Sequence, residues 1–184
     1  MTRIALVDPV TVTGRAKSIM DGIAARRGRV PNMIRALAHS PAALAGYNSF
    51  HAALAGGVLS AALRERIAIA VATANECDTC LAAHTHFGRG EGIPEEELAA
   101  ARDGRSADPA TAAALRFALV ALRGIGHVSE AEQMAVRAAG FGDAAMMEII
   151  AAVFINVFTN AVNHLASTEP DGWHQRVDEN VLRS

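Results

Sequence analysis

The only two cysteines of the chain, Cys77 and Cys80, stand in a C-x-x-C spacing, and His84 follows four residues after the second. Glu65 lies twelve residues before the first, on a stretch that is otherwise apolar except for its arginine neighbours. Thiols, an imidazole and a carboxylate within 20 residues are the parts needed for thiol redox chemistry. A thiolate attacks, a second thiol closes a disulfide, and an acid–base pair moves the protons.

On a helix, positions 77, 80 and 84 fall at 0°, about −60° and about −20°, so they share one face. Cysteines three apart at a helix start can close a disulfide. The free N–H groups and the dipole of that end favour a thiolate, and Asp78 opposes this modestly. A reversal near Asn75 and Glu76 makes two antiparallel helices. Glu65 then lies ~15 Å and His84 ~10 Å from the turn, at 1.5 Å per residue. The resulting order is carboxylate, imidazole, thiol. Glu65 shares its face with Ala68, Ile69 and Ala72, a setting that suits a carboxyl group to proton transfer.

Plainer readings exist for each residue. The cysteines could be core residues, and Glu65 could be solvated beside Arg64 and Arg66. His84 alone would be a satisfied core histidine. His86 lies about 120° from Cys80 on the wheel and is peripheral. Zinc is the chief chemical alternative, with Cys77, Cys80 and His84 as ligands and Glu65 or His86 as a fourth. A second Cys/His pair of the kind structural zinc sites use is missing. Leu81 follows Cys80 where a c-type haem site needs histidine. Asn156, Thr159, Asn160 and Asn163 form a polar stripe on an apolar helix. Hydrogen bonding within the helix or at a subunit contact explains it better than a pocket lining.

The elements that carry these residues read as helical throughout. Helices are expected over 11–27, 31–38, 41–55, 60–75, 78–89, from Pro94, over 109–123, 129–139 and 143–166. Ser40, Ser60 and Ser129 are N-caps, and Glu132 completes a capping box. Ile67 to Ala72 is apolar on every side and marks a buried central helix. The one extended candidate is Ile4–Val7. The chain divides into an N-terminal arm and helix (1–28), a helical domain (29–166) and a C-terminal arm (167–184) with Pro170, Gly172 and Trp173.

Bulk composition bounds the rest. The chain has 184 residues, 51% hydrophobic and only 4% aromatic, so its core is built from Ala, Leu, Ile and Val. Small side chains bury little area each, and such a chain gains burial by packing against copies of itself. A net charge of −2 implies no nucleic-acid surface. The start MTRIALVDPV lacks the regions of a signal peptide. The apolar stretch 149–162 is interrupted by Asn156 and Asn160 and too short to span a bilayer. A cytoplasmic protein without membrane contact is expected, in which a C-x-x-C is catalytic or metal-binding.

The run LSAALRERIAIAVATANECDTCLAAHTHFGRGEGI resembles the core of the alkylhydroperoxidase D proteins, within the carboxymuconolactone decarboxylase-like superfamily. The shared pattern is Glu, eleven residues, then C-x-x-C-x-x-x-H. The flanks GRVPNMIRALAHSP and AGFGDAAMMEIIAAVFINVFTNAVNHLA resemble the peroxidase-related branch. The resemblance implies an all-α helical bundle that assembles as a homo-oligomer, a trimer or hexamer. It implies a peroxidase in which Cys80 attacks a small hydroperoxide, Cys77 resolves the sulfenic acid, and Glu65 and His84 relay protons. No metal or organic cofactor is implied, and a thiol or lipoylated protein would be the reductant. Thr79 stands where some members have a histidine, so their full relay and their donor do not transfer directly. Decarboxylase members do not depend on a C-x-x-C, which argues against lactone decarboxylation. The remaining alternatives are a redox-sensing or zinc-binding module and a thiol–disulfide oxidoreductase.

Overall fold

A computed structural model of the chain describes residues 2–171. Among these there are nine helices and no strand: α1 (Gly14–Arg27), α2 (Asn32–Leu37), α3 (Pro41–Ala55), α4 (Ala61–Ala74), α5 (Asp78–Gly90), α6 (Glu95–Arg102), α7 (Pro109–Gly124), α8 (Glu130–Ala138) and α9 (Asp143–Ala166). From residue 172 on, the expected C-terminal arm lies outside the described residues.

Local chemistry sets the helix starts. The Ser40 hydroxyl accepts from Ala43 N, Ser60 from Leu63 N, and the Asp108 carboxylate from Thr111 N. Ser129 and Glu132 close a reciprocal capping box. Each satisfies N–H groups that have no partner inside the helix.

Two expectations differ from what is found. The first helix begins at Gly14 and not at residue 11, because Val10, Thr11, Val12 and Thr13 are β-branched and hold extended or turn backbone. Ile4–Val7 forms no strand. Its neighbourhood pairs with helix ends, Arg3 N to Ala166 O at 2.8 Å and Val7 N to Arg35 O at 3.3 Å. A single extended segment without a partner strand cannot make a ladder.

α4 is the axis of the molecule. Residues 67–72 are 0–2% exposed, and the helix packs against α5, α6, α7 and α9. Its side chains join Leu98, Leu115, Phe117, Ile149 and Val153 in the main core. A second cluster forms where α1, α2 and α3 meet, around Met20, Ile23, Ile34, Leu37 and Leu44. The site lies between the two clusters.

α9 runs 24 residues, beyond the 149–162 stretch, and by length and composition it could cross a membrane. Here it is a packed helix that contacts α2, α3, α4, α5 and α7. Buried Asn160 and Asn163 pair inside the protein.

Candidate active site

α4 ends at Ala74. Asn75 continues the turn, and Glu76 takes a left-handed conformation with φ 55°. A non-glycine residue there is sterically disfavoured, and the turn is held from outside. Asn75 Nδ2 donates to Asn160 Oδ1 at 2.8 Å, and His164 Nε2 donates to the Asn75 carbonyl at 2.9 Å. Both partners sit on α9.

Beyond this turn Cys77 is the N-cap of α5, with φ −97° and ψ 85°, and is not within the helix. The wheel that placed 77, 80 and 84 on one face therefore holds only for Cys80 and His84. Cys80 lies in the first helical turn. Cys77 and Cys80 are joined by a disulfide, with Cα atoms 5.3 Å apart. Both residues are buried, at 3% and 4% exposure, and pack with Ala72 and Leu81.

α5 returns along α4 and brings the two acid–base groups together. His84 Nδ1 donates to Glu65 Oε2 at 2.8 Å. Each side chain is 22% exposed. The carboxylate fixes the imidazole tautomer, which leaves Nε2 as the nitrogen able to take or give a proton. The setting of Glu65 is less apolar than its own helix face suggests, since Arg27, Arg64, Tyr47 and His51 share its cavity.

That cavity has a volume of about 350 Å³. Cys80, His84 and Glu65 all line it, and Cys77 does not. α1, α2 and α3 supply the opposite wall, including Arg27, Met33, Tyr47 and His51. The Arg27 guanidinium sits 4.7 Å over the Phe87 ring, a favourable cation–π placement. The Tyr47 and His51 rings meet at a tilt, with centres 5.8 Å apart. Burial pushes the Tyr47 hydroxyl above its ordinary value of 10.0, and Arg27 opposes this. His51 keeps solvent access at the cavity mouth, yet the protein packed round it pulls its imidazole below 6.5, and the Arg27 charge adds to this. His86 lies off this wall, 5.7 Å from the Phe87 ring centre.

α9 corrects the reading of its polar stripe: Asn156, Thr159 and Asn163 line the cavity, the role ranked behind hydrogen bonding, because α9 packs across the cysteine helix. Asn163 Nδ2 donates to Cys80 Sγ at 3.2 Å, and the Thr168 hydroxyl donates to Asn163 Oδ1. Thr79 Oγ1 donates to the Thr168 carbonyl at 3.2 Å. The segment after α9 thus lies over the cysteine helix. It is pinned further on by Asp171, which accepts from Arg29 and from Asn32 N, each at 3.0 Å. The asparagine stripe divides by role: Asn156 bonds its own helix at Ala152 O, 2.8 Å. Asn160 holds the turn, and Asn163 reaches the sulfur. Among the described residues no group of three or more His, Cys, Asp and Glu side chains is gathered as a metal site would need.

Residues 41–123, which carry all four of the acid–base and sulfur residues, match the family described as the carboxymuconolactone decarboxylase family. No curated protein matches the chain. Among solved structures, it is similar to an uncharacterized peroxidase-related protein from Ralstonia eutropha JMP134 described as an alkylhydroperoxidase AhpD core. The TM-score is 0.85 at 24% identity, over 94% of each chain. An uncharacterized peroxidase-related protein from Silicibacter sp. TM1040 gives 0.82 at 23% identity, over 95% of this chain and 93% of that one. The debrominase Bmp8, solved with 2,3,4-tribromopyrrole as a cysteine-to-alanine variant, gives 0.78 at 16% identity, over 95% of each chain. With this shared architecture the chain has the alkylhydroperoxidase D-like fold, and its α3 to α7 stretch is similar to the carboxymuconolactone decarboxylase family.

Proposed function

We propose that this chain is a cysteine-based reductase of organic hydroperoxides. The observation that carries the reading is the common cavity wall: one sulfur of a C-x-x-C pair, an imidazole and its carboxylate open onto the same space. In the reduced state His84 Nε2 takes the Cys80 proton. The Cys80 thiolate attacks the outer oxygen of ROOH, and the O–O bond breaks. Cys80 becomes a sulfenic acid, and the alkoxide leaves as ROH with the proton from His84. The Cys77 thiol then displaces water from the sulfenic acid and closes the disulfide. Glu65 stabilises the imidazolium between these steps. An external dithiol returns two electrons by thiol–disulfide exchange.

Cavity size favours an organic substrate. A water molecule occupies about 30 Å³, whereas this space is about 350 Å³ and is partly walled by Ile23, Met33, Leu54 and Phe87. No cofactor enters the chemistry. The reductant is a small dithiol or a lipoylated protein, and the setting is the reducing cytoplasm.

The test is steady-state turnover of alkyl and aryl hydroperoxides against several dithiol donors. Many turnovers per site support the enzyme; a single stoichiometric oxidation makes the chain a sensor. Bound zinc in the purified reduced protein would replace both with a metal module.

A second reading keeps the same dithiol and is favoured by the fold shared with debrominase Bmp8. A halogenated ring in the cavity would lose bromide while the dithiol becomes disulfide: aryl bromide plus two thiols gives arene, hydrogen bromide and disulfide. Bromide release from a bromopyrrole is the discriminating assay.

A further inference from the structure

We infer that Asn163 is a catalytic residue of this site: its side-chain amide is the anion-stabilising donor for the Cys80 sulfur, aimed by the Thr168 hydroxyl. The inference rests on the assignment of Cys80 as the reacting sulfur, but not on which oxidant it meets.

Three observations carry it. Asn163 Nδ2 lies 3.2 Å from Cys80 Sγ, in a buried contact between residues 83 apart in sequence. The other end of the same amide is occupied, because the Thr168 hydroxyl donates to Oδ1. Thr168 is itself 6% exposed, and its carbonyl accepts from Thr79 on the cysteine helix. Chemistry fixes which way the amide faces. A disulfide sulfur, like a thiolate, has no proton to donate, so only the NH2 end makes a bond to it; the oxygen end would set lone pairs against lone pairs. A hydroxyl donor then belongs at the oxygen end, where Thr168 is found.

Asn163 fits the chemistry as the reaction proceeds. A divalent sulfur in a disulfide accepts a weak hydrogen bond. A thiolate accepts a charge-assisted one, roughly twice as strong as its neutral counterpart. The donor is already in place, so no reorganisation is needed when the sulfur becomes an anion. It therefore favours the reduced, ionised Cys80 over both the thiol and the disulfide. Cys80 is only 4% exposed, so one fixed donor counts for more there than at a solvated thiol. The thiolate also feels the N-terminal turn of α5. Glu65 and Arg64 on α4, His84 on α5, Arg27 on α1, Tyr47 and His51 on α3 and Asp171 after α9 share the cavity with Cys80, and Glu76 and Asp78 flank Cys77 in sequence. None of these carboxylates can donate to an anion. Asn163 is the neutral donor that the fold places against the sulfur, and it arrives from α9.

The readout is the ionisation of Cys80 alone, in full-length Cys77→Ser protein, followed by thiolate absorbance and by the pH profile of iodoacetamide alkylation. Asn163→Leu removes the donor with a side chain of similar size that an apolar helix tolerates. The thiolate midpoint should rise by about one unit or more, and alkylation near neutral pH should slow about tenfold. Thr168→Val leaves the amide but frees it to turn, and should move the midpoint in the same direction by less. Asn163→Gln keeps an amide donor and should recover part of the shift. In the Cys77-containing chain, Asn163→Leu should also make the disulfide harder to reduce. A folded Asn163→Leu protein whose midpoint stays within about 0.3 of a unit of its parent would reduce Asn163 to a packing residue. If that variant does not fold, an unmoved midpoint in Thr168→Val overturns the inference equally. Failure of peroxide turnover in the parent protein leaves these titrations intact, so the two readings fail separately.

Discussion

Cys77 and Cys80 are three residues apart yet sit in different chemical positions. Cys80 is in the first helical turn, lines the cavity and accepts from Asn163. Cys77 is the N-cap, off the cavity, between Glu76 and Asp78. Cys80→Ser should abolish peroxide consumption. Cys77→Ser should react once and leave a sulfenic acid on Cys80 that a dimedone-type probe traps. The reverse pattern would sink the assignment of the attacking sulfur. Glu65→Gln keeps the shape of the side chain but not its charge. Turnover should fall roughly 10²–10⁴-fold if Glu65 supports the acid–base step, with helical content unchanged. An unaltered rate and pH profile would make the Glu65–His84 contact merely structural. His51 gives a stability test. Its folded value is held below 6.5, by burial first and then by Arg27, with His84 and Arg64 adding and Glu65 opposing. As pH falls through the ordinary imidazole range the unfolded chain takes the proton first. The stability from neutral His51 is therefore full above that range and declines below it. Denaturant midpoints of His51→Phe measured between about pH 5 and 8 should fall less steeply than those of the native chain; parallel curves would remove His51 from the account. Glu65 and His84 were legible because their partners lie within 20 residues on two adjacent helices. Tyr47 and His51 were not, because α3 delivers them from outside that window; Asn163 was visible in the polar stripe of α9, but its reach to the sulfur was not, because nothing local sets how α9 packs on α5.

At the scale of elements, the helix starts were legible wherever a Ser or Asp side chain reaches its own helix, and the expected bounds of α3 to α9, where both ends were given, fall within a residue or two of those found. What remained hidden is how loops are tied to distant helices. The loop before α4 is one case. The Glu148 carboxylate on α9 accepts from Val58 N, at 2.9 and 2.8 Å, and from Leu59 N at 3.0 Å. It thereby sets where the axial helix enters. Gly57 leaves room for it, since a Cβ there would lie 2.4 Å from a Glu148 oxygen. Glu148→Ala should cost about 1.5–3 kcal/mol, the range for hydrogen bonds to a charged group, read as a drop in denaturant midpoint. Gly57→Ala should act in the same direction by displacing the carboxylate. The two should combine less than additively because they break one contact. A full sum would mean that Gly57 serves backbone freedom and not Glu148. The Asn160 and His164 ties on the Asn75–Glu76 turn follow the same logic: α9 positions the cysteine turn that α4 alone would leave strained.

Among the described residues one face of α9 is largely exposed, and the spacing of that face is regular. Met147, Ala151, Phe154, Phe158, Ala161 and Leu165 follow one another at steps of four and three, so they form a single apolar stripe along the helix. Met147 is 66% exposed and Leu165 68%, while Phe154 already leans on the main core. The opposite face of α9 is the one that packs on α4 and carries Asn160 and Asn163. A helix apolar on both sides buries both, and in a chain with few aromatics a second copy supplies the missing surface. The chain is therefore expected to form a homo-oligomer, with α9 at the contact. Light scattering should give a multiple of 19.2 kDa. A Met147→Glu, Leu165→Glu double variant should shift it towards the monomer, because each charge would have to be buried unpaired against the neighbouring copy. The Cys77–Cys80 disulfide should still form in that variant, since Met147 and Leu165 do not line the cavity. A native chain that scatters as a monomer at working concentration, or a double variant that keeps the native mass, would show that the stripe is not the contact.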